Sequence, residues 1–509
     1  MALYPKHNER RLSLSEPGLL RSRFAFFRTA ALFGLLLTLL FLSLFSYIFG
    51  SLYQQAGHTH NLNVAFVDYD DGGRIGSAVR QAYSDLSDDA FPTLIEYSPS
   101  RYPTPAMLRA AICNTDYWGA LYISTNASDR LTAALTDSEF ASSYNRTDVL
   151  TFIWNEARYS SIADSLAQQM GILSENARIA YMKFDDAGSH LFQTVNRSST
   201  DSVAVYVDPW HLASINIQPT TQGSRLIYNT LVVILILIQQ FFFLATINGL
   251  YAQFGLFGTI KARRIIIFRF LISALYAMAG AICTSGAIWA FRAGWKVNGN
   301  QWALTWLTLW LFGHLNFLTL DVFAVWLPPA FLPMGLTTYL VLNVTSILLP
   351  LELSPAFYKW GNALPAHACY YILVDIWSGG CNPHLNYALP VLFAYELCSG
   401  ILSGLGVYRR AHYAVVAVER EESSWQERID RAIEEFTRTL PPLGEAKLEQ
   451  GTGIDVAEPK GVVNEETSRE AVADREALAG EIRRATSRMA REQETLRRKE
   501  SIGPSFSLV

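Results

Sequence analysis

The sequence predicts an α-helical polytopic membrane protein of about six transmembrane helices, with a mixed α/β extracytoplasmic domain inserted between helices 1 and 2. Three observations predict it. Half of the 509 residues are hydrophobic and only 17% are charged, against about 25% charged in an average soluble domain. The apolar residues gather into runs of roughly 20, and at ~1.5 Å per residue such a run crosses a hydrocarbon core of ~30 Å. A long polar stretch, residues 54–225, then separates the first run from the others. The formal net charge of −4 offers no basic surface, so no nucleic-acid partner is expected.

The first run, residues 30–50 (AALFGLLLTLLFLSLFSYIFG), is uncharged and follows Arg10, Arg11, Arg21, Arg23 and Arg28. Positive flanks stay in the cytosol, so the run reads as an uncleaved signal anchor. The second run is 226–250, followed by Lys261, Arg263, Arg264 and Arg269, which read as a cytosolic loop. The third covers about 270–290. The fourth, about 302–323, carries Trp302, Trp306 and Trp310 on one helix face. Leu327-Pro328-Pro329 introduces a fifth run, about 331–349, and the sixth, about 385–407, meets Arg409 and Arg410. Six spans put both termini and all three basic edges on the cytosolic side; Arg292 and Lys296 are a mild exception. The expected segments are 1–29 cytosolic, 30–53 first helix, 54–225 outer domain, 226–408 five-helix domain with an outer connector at 350–384, and 409–509 cytosolic tail.

Within the outer domain, strands are expected at 63–69, 93–97 and 118–123, and helices at 75–86, 106–113 and 126–135. This alternation implies βαβ units and a partly parallel sheet. Residues 148–184 read as helical, as a long arm or hairpin over the sheet. Sequons at Asn126, Asn145 and Asn196 mark glycosylation acceptors on an outward-facing domain. A fourth, at Asn343, falls inside the fifth run, where no transferase reaches. Among five widely spaced cysteines, Cys369 and Cys381 either form one bridge or remain free thiols. His58 and His60 read as surface residues.

The plan of one helix, a large outer domain and five further helices is similar to the membrane domains of ABC exporters. It resembles more closely the fungal nitrosoguanidine-resistance membrane protein family, related in plan to the bacterial phage-infection-protein family. The residues that carry the resemblance are NVAFVDYD at the start of the outer domain, DYWGALYI followed by NAS, and Pro219 and Gly223 before LIYN. The most specific are Asn343, Pro350, Glu352, Leu353, Pro355, Phe357, Tyr358, Gly361 and Pro365. The resemblance covers roughly 25–408 and implies resistance to toxic small molecules at a fungal plasma membrane or endomembrane. The prolines should break the connector into short helices at the outer surface. Tyr358, Trp360, Tyr370, Tyr371 and Trp377 then suit the headgroup interface.

Polar groups in or near the runs are Asn229, Gln239, Gln240, Asn248, His314, Asn316, Asp321 and Glu396. A carboxylate in a membrane is costly and usually faces a bundle interior or a cavity, which makes Glu396, midway along the sixth run, the intramembrane candidate. Asp321 reads as solvated at a helix end. No Gly-Lys dipeptide occurs, so there is no phosphate-binding P-loop, and neither HExxH nor GxSxG is present. No enzyme activity, cofactor or metal is expected. Expected partners are the bilayer, small toxic molecules or lipids as substrate, and a second copy of the chain as a homodimer. The competing reading is a non-transporting scaffold or receptor that binds through its outer domain and tail. In that tail, Ser424 and Glu427 suggest a capping box before a helix with Trp425, Ile429, Ile433, Phe436 and Leu440 on one face. Residues 451–463 read as linker, and 466–499 as a second helix.

Overall fold

The computed structural model describes residues 20–220, 230–292 and 296–439, with Gly480 and Arg484. Gly223, Asn229, the 451–463 linker and the second tail helix, apart from those two residues, lie outside the described residues. Among the described residues, six helices are long and apolar enough to cross a membrane, which makes the chain an integral membrane protein. The described residues divide into two compact units: residues up to Leu244 with Phe270–Ser403, and Ala245–Arg269 with residues from Gly404 onward.

In the first unit, helix α1 (Leu20–Ser51) begins ten residues before its apolar run, so Arg21, Arg23 and Arg28 lie on the helix itself. There follow β1 (Asn63–Asp68), α2 (Arg74–Leu86), β2 (Thr93–Tyr97), α3 (Pro105–Cys113), β3 (Gly119–Ile123), α4 (Ala127–Thr136) and α5 (Ser138–Ser143). Then come β4 (Leu150–Trp154), α6 (Ser160–Thr194), α7 (Thr200–Val207) and β5 (Leu212–Asn216). The five strands form one sheet in the order β2-β1-β3-β4-β5. β1 pairs in parallel with β2 and β3, β3 antiparallel with β4, and β4 in parallel with β5. The sheet is thus mixed, as the alternating pattern predicts. Alternate β1 side chains divide between two faces: Val64 and Phe66 pack with Ile75 and Val79 of α2, whereas Ala65 and Val67 pack with Leu108 and Ile112 of α3.

Two departures from expectation concern strands. Residues 150–154 form a fully buried strand rather than the start of a helix, and β5 has no counterpart in the sequence reading. β4, buried on both faces, lacks the polar alternation that marks a half-exposed strand: LTFIW has one polar residue, Thr151, and that is buried too. The expected arm is a single 35-residue helix, α6, lying along α2.

The spans continue with α8 (Val232–Gln253), α9 (Leu256–Thr259), α10 (Ala262–Ala290), α11 (Gly299–Trp326) and α12 (Leu332–Leu348). A 3-10 segment (Ala356–Ala363), α13 (Pro365–Trp377) and α14 (Leu385–Thr439) complete the described chain. Trp302, Trp306 and Trp310 stack along α11 with centroids 6.2 and 6.3 Å apart, as their four-residue spacing predicts. Asn298 and Gln301 close a capping box at the start of α11.

In the second unit, Arg263, Arg264 and Arg269 lie in the first turns of α10, not in a loop. Arg269 is buried over the Tyr251 ring at 5.1 Å, and the Arg410 guanidinium donates to Asn248 Oδ1 at 3.3 Å. α14 runs unbroken through the expected tail junction. Ser424 Oγ donates to the Glu421 carbonyl three residues back, which is a mid-helix bond, so no capping box starts a new helix there.

Candidate functional site

The connector folds inward. Pro365 occupies the first turn of α13, where a missing N–H costs nothing, and the buried Asn343 of α12 caps it: its Oδ1 accepts the Ala366 N–H at 3.1 Å while its Nδ2 donates to the Tyr339 carbonyl. Asn343 is 1% exposed, so its sequon is closed to modification in the fold. Tyr358 reaches α1, donating its hydroxyl to the Tyr47 carbonyl at 2.9 Å. Gly50 permits that approach, since a Cβ there would meet the Tyr358 hydroxyl at 2.4 Å. Gly361 is buried, with a Cβ position 3.3 Å from Ser346 Cβ. Pro350 is buried just after α12, and Pro355 immediately precedes the 3-10 segment. These motif residues fasten α1, α12 and α13 together.

The headgroup expectation for the aromatic residues is corrected here. Tyr358, Tyr370, Tyr371 and Trp377 are all buried in protein, and Trp360 alone of the five is exposed. Tyr358 packs on α1 and Trp377 donates its indole N–H to Thr305 of α11, whereas Tyr370 is covered by the sheet domain, which sits on the connector. Tyr370 donates its hydroxyl to the Arg158 carbonyl at 2.5 Å, and the Tyr159 ring lies 4.8 Å from that of Tyr370. The Arg158 guanidinium stacks over Trp118 at 3.9 Å and stands 3.5 Å from Glu352 of the motif. Asn61 donates to the Glu352 carbonyl and Asn155 to the Cys381 carbonyl. A disulfide between Cys113, at the end of α3, and Cys381 closes this interface covalently. Cys369 is a buried free thiol and Cys381 is bridged to a cysteine 268 positions away, so neither the 369–381 bridge nor a pair of free thiols is what forms.

Buried in the same layer, the His367 imidazole is pushed down to about 4 by burial and by nearby His384. Its ring lies 4.4 Å from that of Tyr371, which in turn lies 4.9 Å from that of His384. A polar cavity of about 800 Å³ opens beside them, lined by Glu352, Lys359, Tyr371 and His384 among others.

A second cavity, of about 760 Å³, lies among α10, α11, α13 and α14. Its walls include Phe270, Leu304, Leu307 and Phe393, each 45% exposed or more, so in a bilayer the groove opens to the acyl chains. At its base stands Glu396, the intramembrane residue singled out by the sequence. Its Oε1 is 2.6 Å from His314 Nδ1, and His314 Nε2 is 3.1 Å from Ser273 Oγ. The other oxygen, Oε2, is buried without a hydrogen-bond partner. Asp375 of α13 also lines the groove; burial raises its carboxyl above the ordinary range, against a hydrogen bond from the Asn382 N–H. Two more polar pairs continue along α11 and α14: Thr319 with Ser399 at 2.9 Å, and Ser403 donating to Asp321 at 2.5 Å. Asp321 is fully buried, not solvated, because α14 covers it. Asn316 accepts the Tyr339 hydroxyl.

The structure therefore places the predicted residues in three locations. Asn126 and Asn145 are exposed, and Asn196 half-buried, on the sheet domain. The motif from Asn343 to Pro365 forms the connector, and Glu396 sits in the groove. Arg158 and the Cys113 bridge escaped sequence reasoning because each acquires its role from residues far away in the chain, and His367 and Asp375 because nothing in their local sequence marks them as buried. Among the described residues no cluster of three potential metal ligands occurs.

A family described as "Protein of unknown function (DUF3533)" matches residues 33–401, most of the chain, and the protein belongs to that family. No solved structure matches it.

Proposed function

We propose that this DUF3533 member is a membrane-embedded resistance protein that takes toxic lipophilic small molecules from the bilayer into the groove between α10, α11, α13 and α14. Efflux is the main reading, and altered lipid organisation the variant of it that needs no net transport. The observation that carries the proposal is the groove itself: about 760 Å³, within the ~300–1,000 Å³ of drug-sized sites, with lipid-exposed walls and a His314–Glu396 pair at its base. The resemblance to the nitrosoguanidine-resistance family supplies the substrate class. Energy would come from outside the chain, by a partner ATPase or a gradient.

In this reading the sheet domain and connector face outward and both termini are cytosolic. The Cys113–Cys381 bridge supports that side, because disulfides persist in oxidising compartments. The exposed Asn126 and Asn145, and Asn196 with them, should then carry glycans. Endoglycosidase treatment of the protein from a eukaryotic host should shift its mobility. Replacing all three asparagines by glutamine should abolish the shift, with none contributed by Asn343. An unshifted wild-type protein, with the domain protected from external protease, would put it on the wrong side.

Function is tested by Glu396→Gln in cells challenged with a nitrosoguanidine. The expected result is loss of most of the resistance conferred by the wild-type chain, at equal expression and localisation. Full resistance in the variant would remove Glu396 from any ligand path. A scaffold instead predicts that deleting residues 420–509 eliminates resistance while labelled-substrate flux in reconstituted vesicles stays absent in wild type and deletion alike.

A further inference from the structure

The chemical class of ligand follows from which hydrogen-bonding groups in the groove are already committed. The lining donors are engaged: Gln301 Nε2 donates to the Ile376 carbonyl at 2.8 Å, Trp310 Nε1 to the Ala274 carbonyl at 2.9 Å, and Thr308 Oγ1 to the Leu304 carbonyl at 2.9 Å. His314 spends one ring nitrogen on Glu396 and the other on Ser273. What remains is an acceptor, Glu396 Oε2, buried and unpartnered. The second carboxylate, Asp375, is 8% exposed and adds negative charge from α13. No lysine or arginine stands among the described residues of the lining. The lining therefore holds two acidic side chains and no fixed cation.

An unsatisfied buried acceptor in an apolar, acidic groove selects a ligand that brings its own donor and a positive charge. Aromatic walls from Phe270, Trp310 and Phe393 suit a cation that also has an apolar body. A phospholipid fits poorly, because its phosphate would meet two carboxylates and no cation. Resting on the groove as ligand site, we infer that its occupant is a free lipophilic amine in its ammonium form, held by an N–H donated to Glu396 Oε2.

The test uses the full-length chain in phosphatidylcholine nanodiscs, with empty nanodiscs to subtract partitioning into lipid. Four radiolabelled amphiphiles of equal chain length are compared: dodecylammonium, dodecyltrimethylammonium, dodecanol and dodecyl sulfate. Dodecylammonium should bind saturably. The trimethyl analogue, which keeps the charge and lacks the N–H, should bind about tenfold more weakly, as the loss of one charge-assisted hydrogen bond predicts. Dodecanol and dodecyl sulfate should stay at the empty-disc level. Glu396→Gln should weaken dodecylammonium binding by about tenfold or more, and Leu304→Trp, which fills the groove without touching the pair, should abolish it. If Glu396→Gln does not fold, the comparison of the four ligands on the wild-type protein decides. Dodecanol binding as tightly as dodecylammonium, and lost in Leu304→Trp, would overturn the amine assignment and leave the groove as a ligand site. An absence of saturable binding by all four would overturn the amine assignment and the groove reading together.

Discussion

Replacing Cys113 and Cys381 together by serine is expected to destabilise the sheet domain's attachment to the connector more than any other pair of conservative changes. The bridge closes a loop of 268 residues, and on the chain-entropy account a loop that long is worth roughly 5 kcal/mol. Part of that will be retained by the noncovalent interface, in which Arg158 packs on Trp118 and Tyr370 bonds the Arg158 carbonyl. The expected outcome is a thermal transition lowered by several degrees in the double variant, with the single variants at least as unstable because each leaves a reactive thiol. A second measurement identifies the bridge directly. A protease site placed at the exposed Asp137–Ser138 junction should give two fragments that co-migrate until reductant is added. Fragments that separate without reductant would show that the two cysteines are not joined in the membrane.

The second large effect concerns His314 and Glu396. Replacing His314 by leucine leaves the Glu396 carboxylate facing an apolar neighbour, and removing one partner of a buried pair typically costs ~3–5 kcal/mol. Converting both residues to leucine removes the stranded charge as well, and buried ion pairs exchanged for apolar groups are often neutral or better. The unfolding temperature should thus fall sharply in His314→Leu and recover most of the loss in His314→Leu/Glu396→Leu. Resistance, by contrast, should be lost in both. Recovery of resistance along with stability would mean that the pair serves packing alone. Two stability losses that simply add would mean that the 2.6 Å contact contributes little to the folded state.

How much of this was legible beforehand depended on how local the signal is. The six spans were visible because an apolar run of ~20 residues states its own structure. α2, β2 and α3 were visible because half-buried elements show their own period, and β1 and β3, although buried on both faces, because turn residues close their short apolar runs, Asp70-Asp71-Gly72-Gly73 after β1 and Ser124-Thr125-Asn126 after β3. β4 was missed because a strand covered on both faces carries no alternation, and α14 was cut short because its charged second half resembles a separate surface helix. The site was half legible. Glu396 and His314 were each noticed as costly groups in apolar runs, but 82 positions separate them, and nothing in either run names the partner. The connector aromatics were placed in the wrong medium for a related reason: a tyrosine suited to a headgroup is equally suited to an interface whose other half lies 200 positions away.

The rim of the groove has a mechanical consequence. Gly379 and Gly380 line the cavity with left-handed backbones, φ 66° and 95°, and the next residue is the disulfide-bonded Cys381. The sheet domain is thus tethered one peptide from the edge of the groove, through α3 and a covalent link. A load applied to the sheet domain would reach the cavity's edge at two glycines, whose positive-φ backbones bend more readily than those of other residues.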